Sequence, residues 1–340
     1  VSEGSQLPRG PSAASPRTAL LLVLQLAISG AMIAWLFHLV PWSKVSSDLE
    51  HADRRWLLAA FAMMAGSNLL GAYQWSRLLR KVGIVLPFWK VLSYFHVGLF
   101  FNNFVPANLG GDFSRVMDAS RGGSSRATAF STVLLDRMIG TVAMGGLAVV
   151  STLPAIDHFH LAAAYTGILI FFTVSVTMLW AVFHPALLAT IERLLSKIGL
   201  GRLKPALDEL SESLAGFRGQ PRMFMELFTV ATATQVMRIF VHVLVARALG
   251  LHVALAYFFL FVPLLAVIVS LPISLSGMGV REGAGMVLFG LVGLDKGSAF
   301  SMQITTFVVA FAVSLIGGIV FAVRIPHRRR AARNPRRPNG

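Results

Sequence analysis

Six stretches of this chain stay apolar for about twenty residues or more: 19–40, 55–76, 127–152, 161–184, 223–249 and 298–323. A helix needs roughly 20 apolar residues to cross ~30 Å of hydrocarbon. In lipid every backbone N–H and C=O must be satisfied without water, which leaves helices and closed barrels as the only spanning forms. The runs are continuous where barrel strands would alternate, so helices are indicated. Composition agrees: 55% of residues are hydrophobic and 13% charged, against about 25% charged in soluble domains. The pattern predicts an all-α integral membrane protein. Residues 1–18 read as a disordered tail. The 19–40 run is too long for a signal-peptide core and ends in Pro-Trp-Ser, so it reads as a retained span. A polar connector at 185–222, with "IERLLSKIGLGRLKPALDELSESLAGF", reads as one or two amphipathic helices at the membrane surface.

Two further apolar segments are marginal in length. Residues 88–105 run into "VPANLGGDFSR" and residues 254–271 into "SLPISLSGMGVREGAG". Proline and paired glycines break each one, and a helix-compatible piece follows. Broken backbone survives at membrane depth only where protein or water covers it, so each pair reads as a re-entrant hairpin. The basic residues support that reading. With two hairpins, the N-terminus, Arg77, Arg80, Lys81, Lys90, the 113–126 loop with Arg115, Arg121 and Arg126, the 185–222 connector and the arginine-rich end (Arg324 to Arg337) all face the cytoplasm. The 153–160 loop, the 250–253 link, Lys296 and the charge-balanced 41–55 loop then face outward. If both segments crossed once, the basic connector would lie outside. Residues 55–152 and 223–323 thereby become oppositely oriented repeats, an arrangement of transporters. Six spans, two hairpins, an inner (plasma) membrane location and cytoplasmic termini are the expectation.

The ionisable residues within these segments are the candidates for chemistry. Breaks at Gly277 and Gly279, and at Gly110 and Gly111, would start half-helices whose positive ends receive an anionic headgroup; the same glycines would also permit close helix packing. Asp112 and Arg115 adjoin the first break, Arg281 and Glu282 the second, and Asp136 and Arg137 lie some ten residues into their span. Charges in a membrane face a cavity or each other, so these six either fix the hairpins as ion pairs or contact phosphate and exchange protons. Gln235, Arg238 and His242 share one helical face. That face either hydrogen-bonds to Asn68 or Gln303, or presents a phosphate-binding arginine.

Other signals are weak. The formal net charge of +15 lies mostly at the margins of apolar runs, which orients a membrane protein and does not point to nucleic acid. The basic residues 326–340 form a cytoplasmic tail suited to anionic lipid. His158 and His160 lack a third ligand for a metal, and "VGLDKG" at 292–297 is no phosphate loop. The chain has no cysteine, which excludes disulfides and thiolate catalysis. No cofactor is expected.

Three motifs in this order, "FFNNFVPANLGGDFSR" at 100–115, "STVLLDRMIG" at 131–140 and "LPISLSGMGVRE" at 271–282, resemble the lysylphosphatidylglycerol synthase transmembrane-region family. This is the flippase-like domain of the multiple peptide resistance factor, and it also occurs free-standing. The resemblance covers roughly 20–325 and implies a flippase-like domain over 19–325, with Asn103 of the first motif joining the substrate-binding set. It implies handling of an aminoacyl-phospholipid, a polyprenyl-phosphate-linked sugar or a hopanoid lipid, and an envelope lipid-synthesising enzyme as a partner. This stretch of sequence departs from the family pattern in carrying no aminoacyltransferase domain, so lysyl-lipid synthesis is not the expectation for it. The expected function is translocation of an anionic lipid headgroup. The alternatives are a lipid-modifying transferase with Asp112, Asp136 or Glu282 as base, and a non-transporting partner subunit.

Overall fold

The apolar runs become continuous helices wherever they fall within the described part of the chain. The computed structural model describes residues 42–103, 109–153, 162–184, 190, 193, 204–270 and 277–333; the 19–40 run and the breaks at 104–108 and 271–276 lie outside these. The helices are α1 (Trp42–Glu50), α2 (Arg54–Lys81), α3 (Phe88–Asn102), α4 (Leu109–Ala119), α5 (Arg126–Thr152), α6 (Ala162–Val182), α7 (Lys204–Ala215), α8 (Pro221–Ala248), α9 (Leu255–Ser270), α10 (Val280–Gly290) and α11 (Lys296–Arg333). Among the described residues there is no strand, and five helices, α2, α5, α6, α8 and α11, are long and apolar enough to cross a membrane. The protein is an all-α integral membrane protein.

Local chemistry sets the helix limits. Asp53 caps α2 by accepting the Arg55 amide at 2.8 Å, Ser125 caps α5 by accepting the Thr128 amide at 3.0 Å, and Asp295 accepts the Ser298 amide at 2.9 Å where α11 starts. Pro221 opens α8, where its missing N–H costs nothing. Helix α6 carries Ile170, Val174 and Trp180 exposed along its length and packs mainly on α5. It is a peripheral span whose apolar surface faces lipid.

Helices α3 and α9 have 15 and 16 residues, about 22–24 Å at 1.5 Å per residue, too short to cross. Each folds back instead. Arg324 hydrogen-bonds to Ser93 near the start of α3 and pairs with Asp118 near the end of α4, so both ends of the first hairpin meet at one place. In the second hairpin Phe258 and Phe261 of α9 pack on Phe289 of α10, with ring centroids 5.5 and 5.3 Å apart.

The two halves match. The offset between Arg54 and Pro221, where α2 and α8 begin, equals that between Gly83 and Gly250 and that between Phe88 and Leu255. Both spans end in the same left-handed glycine turn, φ +82° at Gly83 and +68° at Gly250. The next amide in each, Ile84 or Leu251, bonds back to the carbonyl of Leu79 or Ala246 at 2.9 or 2.8 Å. Helices α2 and α8 lie antiparallel: the Asp53 amide donates to the Ala248 carbonyl at one end, and Tyr73 and Arg77 reach Glu226 towards the other. The hairpins follow the opposite ends of this pair and therefore enter from opposite faces. They are also exchanged between halves, α3 packing on α11 and α9 on α5. A Cβ at Gly317 of α11 would lie 1.9 Å from the His96 carbonyl of α3, so that interface is backbone against backbone.

Two parts of the chain carry more helix than the sequence reading gave them. The 41–55 loop contains α1, whose Asp48 is buried near Ser298 of α11. Helix α11 continues to Arg333, well beyond the 298–323 run; its 38 residues measure about 57 Å. In the connector, α7 packs on α5, and Leu214 is fully buried with Phe217, Leu135 and Leu227.

Candidate functional site

Helices α2, α3, α4, α5, α8 and α9 surround a chamber of about 370 Å³. Its polar wall holds Gln74, Asn102, Arg115, Asp136, Arg137, Gln235 and Arg238. A second chamber of about 300 Å³ lies among α5, α8, α9, α10 and α11, lined mostly by apolar residues such as Leu147, Ile239, Val262 and Phe307, with His242 and Arg281 among them. Met144, Gln235, Arg238, Ala266 and Val269 line both. Arg238 is thus on the boundary between a polar chamber against the first hairpin and an apolar one against the second. It lies about 26 Å along α8 and Arg137 about 16 Å along α5, each in the middle third of its helix.

Two ion pairs bind the first hairpin to α5. Arg115 of α4 donates to Asp136 at 2.7 Å, and the pair is almost fully buried, with side chains 7% and 10% exposed. The Arg115 guanidinium also stacks over Trp75 at 4.3 Å and Phe95 at 5.0 Å, while the Gln74 amide donates to the other Asp136 oxygen at 2.9 Å. Arg137 clamps Asp112 through Nε and a terminal nitrogen, at 2.9–3.0 Å. The bonds cross between α4 and α5, so Asp112, Arg115, Asp136 and Arg137 form one network. Gly111 is where α4 meets α3: a Cβ there would come within 2.3 Å of the Gly98 carbonyl and Asn102 Oδ1, and its amide donates to that oxygen at 2.8 Å. Gly110, beside it, lies in the first turn of α4. Asn103 donates to Ser314 of α11 at 2.9 Å, linking the hairpin tip to the other half.

The second hairpin uses its glycines differently. Gly277 and Gly279 adopt φ +75° and +81°, a region costly for residues with a Cβ. The Glu282 carboxylate accepts the Gly279 amide at 2.7 Å and holds Arg281 through its other oxygen, with Nε at 3.1 Å. Arg281 lies over Phe307 at 4.5 Å, facing the apolar chamber. On α8, Gln235 donates to the Gly140 carbonyl at 3.4 Å and His242 bonds to the Arg238 carbonyl at 3.0 Å. Gln303 is fully buried with neither amide atom bonded. No carboxylate pairs with Arg238 among the described residues.

Of the residues singled out from sequence, Arg115, Asp136, Arg137, Gln235, Arg238, His242 and Arg281 line the two chambers, with Gln235 and Arg238 in both. Asp112 and Glu282 hold Arg137 and Arg281. Gln74 and Asn102 escaped notice, because each looks like an ordinary polar residue within an apolar helix. The adjacent asparagines 102 and 103 were the available signal.

The profile of the lysylphosphatidylglycerol synthase TM region matches residues 22–318. The chain belongs to this family. Lysylphosphatidylglycerol synthase TM regions are a membrane protein family linked to lipid handling. A curated relative, the UPF0104 membrane protein PH1989 of Pyrococcus horikoshii, is 25% identical over 311 residues, covering 83% of this chain and 92% of that protein. The family match takes in all four residues of the α4–α5 network and both Arg238 and Arg281.

Proposed function

We propose that this protein translocates the anionic headgroup of a membrane amphiphile between leaflets, as a flippase-like carrier of the inner membrane. The single observation that carries the reading is Arg238, a mid-membrane guanidinium that faces both chambers and has no carboxylate paired with it among the described residues. A lone charge at that depth costs at least ~2.5 kcal/mol, so its place is explained by an anion that visits. A phosphate fits, because the guanidinium fork binds two of its oxygens at once. Among the lipids the family resemblance implies, an aminoacyl-phospholipid or a polyprenyl-phosphate-linked sugar suits this arginine better than a phosphate-free hopanoid lipid. The polar chamber accepts a headgroup, and the apolar one accepts the start of a chain. Hairpins inserted from opposite faces supply the alternating access that inverted repeats use.

The cytoplasmic face is assigned to the end where α2 finishes and α8 begins, which gathers Arg77, Arg80, Lys81, Lys90, Arg121, Arg126 and Arg324. A transferase would need a free base, whereas Asp112, Asp136 and Glu282 each hold an arginine. That favours translocation over lipid modification.

The test is purified protein in liposomes with a headgroup-labelled phospholipid, following leaflet distribution and lipid composition together. Arg238→Lys should slow redistribution about tenfold or more while detergent stability stays near wild type. Normal transport by Arg238→Lys would overturn its role. A new lipid product that disappears in Glu282→Gln would overturn translocation in favour of the enzyme.

A further inference from the structure

The corner where α8 turns into α9 holds a groove of about 480 Å³ that is separate in lining from both chambers. Its floor is apolar, with Phe240, Val243, Leu244 and Phe258, and Arg247 and His252 are the polar residues on it. Arg247 is exposed, and its guanidinium lies 5.1 Å over the Trp56 ring of α2. No carboxylate pairs with it among the described residues. Arg54 and Arg55 begin α2 beside this point, where the Asp53 amide bonds to the Ala248 carbonyl. A tryptophan next to a free arginine at the end of a span marks the headgroup level of a bilayer. Phe240 lies two turns deeper than Arg247, about 10 Å, the depth of the first part of an acyl chain.

The matching corner of the other half shows that the turn does not require a groove. After α2 the same left-handed turn sends Ile84 into the core, where it is 5% exposed and packs with Leu79 and Val91. After α8 the equivalent Leu251 stays half-buried on the groove wall. The backbone is the same in both corners, yet one is filled by its own side chains and the other is left open beneath cationic groups. We propose that this second corner binds one anionic phospholipid of the surrounding bilayer, its phosphodiester on Arg247 and His252 and one acyl chain along Phe240, Leu244 and Phe258. This lipid is a bound neighbour outside the translocation route, so the proposal stands apart from the role given to Arg238.

The full chain in detergent is titrated with phosphatidylglycerol or phosphatidylcholine and read by native mass spectrometry. In parallel, a phosphatidylglycerol with a photoreactive acyl chain is cross-linked and mapped. Wild type should retain one phosphatidylglycerol more tightly than phosphatidylcholine, with cross-links on residues 240–258. Arg247→Gln combined with His252→Gln should weaken that binding about tenfold or more. Leu244→Trp, which fills the groove and leaves its charges, should abolish the cross-links. Arg238→Lys should change neither readout, which separates this site from the chambers. Equal retention of both lipids by wild type, or unchanged cross-links in the double variant or in Leu244→Trp, would overturn the proposal.

Discussion

Asp136→Asn should be among the most damaging single-atom-scale changes in the protein, and the size of the loss follows from the surroundings of Arg115. Asp136 and Arg115 are 10% and 7% exposed and 2.7 Å apart. With charge centres ~4 Å apart and an effective dielectric of ~20, their attraction is about 4 kcal/mol. Asparagine keeps the shape and still accepts from Gln74, but it leaves a buried guanidinium compensated only by the faces of Trp75 and Phe95. Orphaning one member of a buried pair costs about 3–5 kcal/mol, and the two ring contacts, present before and after the substitution, offset none of it. A loss of about 3–5 kcal/mol is therefore expected. The parallel pair in the same network, Arg137–Asp112, has side chains 39% and 21% exposed. Solvent screens it, so Asp112→Asn should cost ~1 kcal/mol or less.

The assay is reversible SDS unfolding in mixed micelles, followed by the near-UV signal, on Asp136→Asn, Arg115→Met, their combination and Asp112→Asn. Removing both partners of the buried pair should cost less than the sum of the single changes by ~2 kcal/mol or more. If Asp136→Asn and Asp112→Asn cost the same, or the double variant is simply additive, burial does not govern this network.

Gly317→Ala should destabilise the protein by about 1–3 kcal/mol through overpacking, because its Cβ would meet the His96 backbone at 1.9 Å. Gly167→Ala on α6, with nothing within 4 Å, should instead be neutral or stabilising by about 0.5–1 kcal/mol in the same unfolding assay. The chain has no native cysteine, so Arg121→Cys and Lys296→Cys can be labelled singly in intact cells with an impermeant thiol reagent. Lys296→Cys should react at once and Arg121→Cys only after permeabilisation. The reverse pattern inverts the orientation, and labelling of both from one side refutes the two-faced fold.

The five described spans were legible because membrane insertion is a one-dimensional constraint: a run of apolar residues has few other fates. The hairpins were legible for a related reason. Segments 88–105 and 254–271 were too short and too broken to cross, and the basic residues around them had to stay on one side. What the sequence did not reveal is how the halves meet, since packing partners depend on shape across long separations. Gly317 sits beside Gly318 within an apolar run, and nothing local identifies its partner as His96. The pairing of charges was likewise hidden. Asp136 and Arg137 are neighbours in sequence, yet each bonds to a residue on α4, because adjacent positions on a helix point about 100° apart.

The glycine pairs show the same limit from another side. Gly110–Gly111 and Gly277–Gly279 look interchangeable as breaks, but the structure uses them for different purposes. Gly111 is required by close backbone approach, and Gly277 and Gly279 by their backbone angles. That difference breaks the symmetry of the halves where it matters most. The first hairpin is tied to α5 by arginine–carboxylate bonds between helices, whereas the second keeps its ion pair within α10, between Arg281 and Glu282. No carboxylate of α11 holds Arg281; Phe307 lies beneath it instead. A rearrangement of the second hairpin against α11 would therefore break no ion pair between the two, while the same motion of the first would break two. Among the described residues, the second hairpin is therefore the one whose packing on its following span carries no ion pair, and Arg281 sits on that untied side, at the apolar chamber that Arg238 also lines.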